Sequence, residues 1–138
     1  MRIVIDTNVL VSAVRSRNGA SFKLLSMIPD PRFEPAVSIT LYFEYVDVLL
    51  RPEHIPPGRT AENGLSFIRR FLTFCHKHEM RFSWRPLLRD ADDDFVLELA
   101  IESNSRYIVT FNKADFGNME IYGIEAVTPA EFLGLMNK

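Results

Sequence analysis

Met1-Arg2-Ile3-Val4-Ile5-Asp6-Thr7-Asn8-Val9-Leu10 opens the chain, and its reading decides the fold. Ile3-Val4-Ile5 is a continuous β-branched run, the pattern of a strand buried on both faces of a sheet. It ends abruptly in a carboxylate, Asp6, and a second apolar run, Val9-Leu10-Val11, follows. Asp6 therefore stands where a central strand gives way to its crossover. In open α/β sheets that edge, at the carboxyl ends of the strands, is where ligands bind. A charge there is costly unless it is paired, hydrogen-bonded or holding a metal. Asp6 either caps the following helix, as Asp does well, or serves a site; the motif alone leaves both open.

Working outward, helical and strand patterns alternate. Residues 2–6 read as a strand, about 7–14 as a helix, and Ser21 to Ile28 as a second helix that stops before Pro29 and Pro31. Pro35 to Ser38 reads as a short buried strand. Ile39 to Leu50 is a helix, with Leu41, Tyr45, Val48 and Leu49 at helical spacing. Pro52, Pro56, Pro57 and Gly58 form a rigid loop. Thr60 can cap a helix running to about His78, with Leu65, Ile68, Leu72 and Cys75 on one face. Met80 to Trp84 reads as a strand, Asp94 to Ser103 as a helix, and Tyr107-Ile108-Val109 and Ile124 to Val127 as buried strands. Thr128-Pro129-Ala130-Glu131 starts the last helix with an N-cap, Pro at the first position and a capping-box Glu. Strands alternating with helices imply an α/β domain whose mostly parallel sheet is covered on both faces.

The 138 residues, 47% hydrophobic and 25% charged, suit one domain over residues 1–138 with a real core. The single cysteine, Cys75, allows neither an intrachain disulfide nor a cysteine-built zinc site, and reads as core. Together with an N-terminus that opens directly into a strand, it makes a cytoplasmic location the expectation. No apolar stretch approaches the roughly 20 residues that a membrane span needs. A net charge of −2 argues against a simple basic nucleic-acid-binding module but not against an enzyme acting on nucleic acid, because acids gathered at a site would leave the remainder net positive.

Four places bring acidic or amide groups to element ends or onto a helix face. They are Asp6, Glu44 within the apolar Tyr42-Phe43-Glu44-Tyr45-Val46, the run Asp92-Asp93-Asp94, and Asn112 with Asp115 after the strand ending at Thr110. Each has a plain reading: a cap, a solvated helix position, negative charge tolerated at a helix N-terminus, a turn residue. Taken together they resemble an oxygen-ligand site for Mg²⁺ or Mn²⁺, which a few carboxylates suffice to build. Such a site can activate water for phosphodiester hydrolysis. His76 and His78, two apart in the expected helix, would not share a face, and His54 lies in the proline-rich loop, so no histidine metal site is expected. The absence of a Gly-rich phosphate loop leaves nucleotide cofactors unsupported.

The residues Val4-Ile5-Asp6-Thr7-Asn8-Val9-Leu10, Glu44, Asp92 to Ala100 and Tyr107-Ile108-Val109-Thr110-Phe111-Asn112-Lys113-Ala114-Asp115-Phe116 resemble, in order, the motifs of PIN-domain proteins. Within that family the chain looks like the bacterial VapC-like toxins of toxin–antitoxin systems. The resemblance implies a three-layer α/β/α fold, a divalent metal and endonuclease cleavage of RNA. It implies Asp6, Glu44 and Asp94 as metal-site acids, Asp94 because it lies sixteen residues before Thr110. The family's fourth acidic position falls on Asn112, a weaker uncharged ligand, with Asp115 three residues on as a substitute. Thr7, Asn8, Ser12 and Thr110 take supporting places. Arg15, Arg17, Lys23 and Lys113 are candidate contacts to RNA phosphates. An antitoxin partner and a homodimer follow from the same resemblance. Two other readings remain: a degenerate PIN domain that only binds RNA or protein, and a metal-dependent phosphatase. The second arises because Val4-Ile5-Asp6-Thr7 also resembles a haloacid-dehalogenase-type site, although that chemistry wants Asp where this chain has Asn8.

Overall fold

The structure, a computed structural model, describes residues 1–81, 91–117 and 119–137, and of residues 91–94 the backbone alone. The elements run β1 (Arg2–Ile5), α1 (Thr7–Arg15), α2 (Ala20–Met27), β2 (Glu34–Val37), α3 (Ile39–Leu49), α4 (Ala61–Thr73), β3 (His76–Lys77), α5 (Ala91–Glu102), β4 (Ser105–Val109), β5 (Glu125–Val127) and α6 (Pro129–Met136). Short 3₁₀ turns lie at Pro52–His54, Lys113–Phe116 and Glu120–Tyr122.

Among the described residues the strands form one sheet in the order β3-β2-β1-β4-β5, and every pairing is parallel. Ile3, Val4 and Ile5 are each wholly buried. Because successive strand side chains point to opposite faces, both faces of β1 are covered, as a three-layer α/β/α arrangement requires. α5 packs on β1, β2 and β4, while α1 packs on α2 and α3, and α2 on α6. The chain steps from β1 outward to β3, then returns to β4 on the other side of β1. The strand order therefore reverses between β1 and β4, and their carboxyl ends flank the crevice at which doubly wound sheets bind ligands.

Local sequence explains most boundaries. Ser38 caps α3, its hydroxyl accepting the Leu41 N–H at 3.2 Å. Thr60 and Asn63 close a capping box on α4, and Thr128 and Glu131 close one on α6 with Pro129 at its start. Cys75 is buried, its thiol pushed up to about 12 by that burial. No helix among the described residues is long and apolar enough to cross a membrane.

Four expectations need correction. The fourth helix stops at Thr73 instead of continuing to about His78. Its amphipathic spacing does continue, but His76–Lys77 instead pairs in parallel with Ala36–Val37 at the open edge of β2, a long-range gain that local periodicity does not encode. Consequently β3 lies at His76–Lys77; Met80 and Arg81 are not strand, and residues 82–84 lie outside the described ones. On a strand, residues two apart share a face. His76 Nε2 and His78 Nδ1 accordingly approach to 3.3 Å, and His78 Nε2 lies 3.2 Å from Oε1 of Glu102. Finally, α5 begins at Ala91, so Asp92 sits within its first turn and does not precede it.

Candidate active site

Asp6 occupies the end of β1 at the point where the strand order reverses. Its backbone N–H donates to Val109 O at 2.9 Å, which extends the parallel pairing one residue beyond the strand. The side chain is buried, with the residue 8% exposed. Oδ1 accepts the Thr7 N–H at 2.9 Å, so Asp6 does cap α1. Oδ2 turns to β4 and accepts the Thr110 hydroxyl at 2.8 Å, with Asn8 Nδ2 at 3.4 Å. Capping and site residue are thus not alternatives, since each oxygen has its own task. Burial raises the Asp6 pKa above the ordinary carboxylate value; the Thr110 hydroxyl and the Thr7 N–H oppose the rise, and the Asp115 carboxylate adds to it.

Glu44 comes from α3, on the far side of β1 from Thr110, and Thr7 brings it in. The Thr7 hydroxyl donates to Oε2 of Glu44 while the Thr7 backbone N–H serves Asp6. The neighbouring Tyr45, wholly buried, donates its hydroxyl to the Ile5 carbonyl. Two consecutive residues of α3 are therefore anchored to the end of β1. Burial pushes the Tyr45 phenol well above its usual range, followed by the Cys75, Asp6 and Glu44 groups, so it stays neutral and a donor. Periodicity marked Tyr45 as core; its hydroxyl bond spans 40 residues and had no local signal.

On the other side, Asn8 Oδ1 accepts the Phe111 N–H at 3.3 Å, and Thr110 Oγ1 accepts the Asn112 N–H at 3.0 Å. Asp115 N–H bonds to Asn112 O at 3.0 Å in the following 3₁₀ turn. Asn112 and Asp115 are exposed, and the Asn112 side chain makes no capping bond there. Lys113 is held by Glu131, with Nζ 2.9 and 3.1 Å from its two carboxylate oxygens. Ser12 is half-buried on α1, where its carbonyl accepts the Ser16 N–H.

A model of the PIN domain matches residues 2–114, most of the chain. The chain belongs to the PIN domain family. No match to it was found among curated proteins. Among solved structures, this PIN domain is similar to VapBC2 from Rickettsia felis bound to a DNA fragment from its promoter, at a TM-score of 0.63 and 16% identity, over 91% of this chain and 98% of that one. It is similar also to VapBC-1 from nontypeable Haemophilus influenzae, at a TM-score of 0.63 and 15% identity, over 94% and 99%. At such identities the likeness is one of fold.

In this PIN domain Asp6, Thr7, Asn8, Glu44 and Thr110 come together, and Asp115 lies near enough to act on the Asp6 charge. The side chains of Asp92, Asp93 and Asp94 lie outside the described residues. Among those described, no three His, Cys, Asp or Glu side chains gather as a metal-holding group. The donor chemistry nevertheless suits a hard divalent cation: the acids at this edge offer only oxygen, and a nearby cation would offset the burial and the Asp115 charge that hold the Asp6 pKa up. Glu98, one turn beyond Asp94 on α5, is a further buried carboxylate, which helical periodicity alone does not mark as part of a site. Arg15 and Arg17 do not border Asp6. Arg15 ends α1, about 12 Å along the helix from Thr7, and Arg17 follows it; both line a groove of about 620 Å³ that Arg59, Arg70, Phe22 and Phe67 also line.

Proposed function

We propose that this PIN domain is a Mg²⁺- or Mn²⁺-dependent endoribonuclease and the toxin of a toxin–antitoxin pair. The observation that carries the reading is the buried Asp6 at the sheet's reversal point, its pKa raised and its neighbour Thr7 bonded to Glu44. Asp6 and Glu44 would hold the ion, with Asp94 and Asp115 completing the acidic set and Asn112 as a neutral donor. When bound, such an ion supplies an activated water and stabilises the leaving oxygen of an RNA phosphodiester. Thr7 and Thr110 hold the two carboxylates in place. Asn8, oriented by the Phe111 N–H, keeps its amide donor toward Asp6.

The antitoxin reading is supported by the two fold neighbours, both VapBC proteins, and by the groove beside α1. An apolar floor beneath four arginines suits an acidic amphipathic segment. A basic side chain from the same partner would also find carboxylates at Asp6 and Glu44. A homodimer has support in α3, where Ile39 and Phe43 are 74% and 63% exposed on a face away from the core. The site of action is cytoplasmic, where RNA is made and used.

Incubating the purified chain with RNA tests the activity. Cleavage should require Mg²⁺ or Mn²⁺ and stop with EDTA. EDTA-resistant cleavage would refute the metal-dependent reading, and RNA binding without cleavage in any metal would favour the binding-only alternative, to which the uncharged Asn112 lends some weight.

A further inference from the structure

Phe111 follows Thr110 at the carboxyl end of β4, one residue from the hydroxyl that bonds Asp6. It is 48% exposed, although it is a large aromatic at an edge otherwise furnished with polar groups. Its backbone is not loose. The Phe111 N–H is held by Asn8 Oδ1 at 3.3 Å, and the next N–H, of Asn112, by Thr110 Oγ1 at 3.0 Å. The same two side chains that orient Asp6 therefore fix the root of this ring. Other exposed large apolar residues have different settings. Ile39 and Phe43 belong to one face of α3, Phe22 lines the arginine groove, and Ile121 and Tyr122 sit on the turn between β4 and β5.

The electrostatics make such a ring useful. The acids around Asp6 repel phosphate, and Lys113, the cation closest in sequence, is occupied by Glu131. Without a bound ion, grip on an RNA strand beside the carboxylates draws on its bases, whose faces stack on aromatic rings whatever their sequence. We propose that Phe111 is the stacking platform for an unpaired base adjacent to the phosphodiester presented to Asp6, and so selects unpaired over paired nucleotides there. A base inside a duplex has no free face to offer this ring. The inference rests on the endoribonuclease reading and deepens it.

The test measures anisotropy of a fluorescent single-stranded oligoribonucleotide titrated with the full chain in EDTA, for wild type and for Phe111→Ala, Phe111→Leu and Phe111→Trp. The ring is exposed, so all four should melt alike. Ala and Leu should weaken binding about tenfold, and Trp should restore it. Against the same oligonucleotide annealed to its complement, wild type and Phe111→Ala should bind equally. In Mg²⁺ the loss in Phe111→Ala should fall on KM and spare kcat. Equal single-strand affinity of Phe111→Ala and wild type would overturn the proposal. So would rescue by Leu as complete as by Trp, or a loss confined to binding of a protein partner. A wild-type chain that neither binds nor cleaves RNA would instead overturn the nuclease reading, and this inference with it.

Discussion

Thr110 donates its hydroxyl to Oδ2 of Asp6 at 2.8 Å, joining residues 104 positions apart across the two strands where the sheet order reverses. The direction of that bond is fixed. An ionised carboxylate can only accept, so the hydroxyl proton goes to Asp6, while Thr110 Oγ1 accepts the Asn112 N–H at 3.0 Å. The bond favours the charged form of Asp6 against the burial that disfavours it.

Replacing Thr110 with Val keeps the shape and removes both roles. The Asn112 N–H loses its acceptor and Asp6 loses its strongest stabiliser. Stability should fall by about 1–2 kcal/mol. The Asp6 pKa should rise further, moving the acid limb of the cleavage–pH profile to higher pH. Thr110→Ser should return the limb toward wild type. A profile unchanged by Thr110→Val would show that this hydroxyl does not set the Asp6 charge.

Asp6→Asn should abolish cleavage and leave the fold intact. The sign of its effect on stability follows from the raised pKa. A carboxyl whose folded pKa exceeds its unfolded value contributes most below the unfolded value, here 3.8, and that contribution is lost as pH climbs through the folded value. At neutral pH without metal, ionised Asp6 is therefore a burden, and Asn relieves it. The gain is partly offset because the amide nitrogen cannot accept from Thr110 and Asn8. Melting curves should place Asp6→Asn at or above wild type at pH 7, with its advantage gone near pH 4. An advantage that grew on acidification would contradict the assignment.

Much of this was legible in the first ten residues. The run Ile3-Val4-Ile5 marked a strand buried on both faces, and Asp6 marked its end. The caps at Thr60 and Thr128 lie wholly within four-residue windows, so sequence sufficed to place them. The end of α4 did not lie in such a window. His76–Lys77 is a strand only because β2 offers an edge some forty residues away. The same limit hid how the site is tied. Thr7 reaches Glu44 across 37 residues and Tyr45 reaches Ile5 across 40, distances at which periodicity carries no information.

Tyr45→Phe separates anchoring from chemistry. The Ile5 carbonyl loses its donor, and stability should drop by about 1 kcal/mol. Because Thr7 still holds Glu44, the cleavage rate should stay near wild type. A dead but well-folded Tyr45→Phe would mean that the phenol itself acts in the site.

The three consecutive aspartates call for single substitutions with paired readouts. All lie in the first turn of α5, where negative charge is favoured by the helix N-terminus. Asp94→Asn should cost most of the activity. Asp92→Asn and Asp93→Asn should cost stability alone, by roughly 1 kcal/mol or less. An inactive Asp93→Asn beside an active Asp94→Asn would move the site acid by one residue.

Titration calorimetry of Mn²⁺ into the full chain at pH 7 addresses the metal site directly, with Asp6→Asn and Glu44→Gln in parallel. The wild type should bind, and each substitution, made on a separate element, should remove or strongly weaken that binding. Mn²⁺ bound equally by all three proteins, or by none, would contradict a cation site built on Asp6 and Glu44.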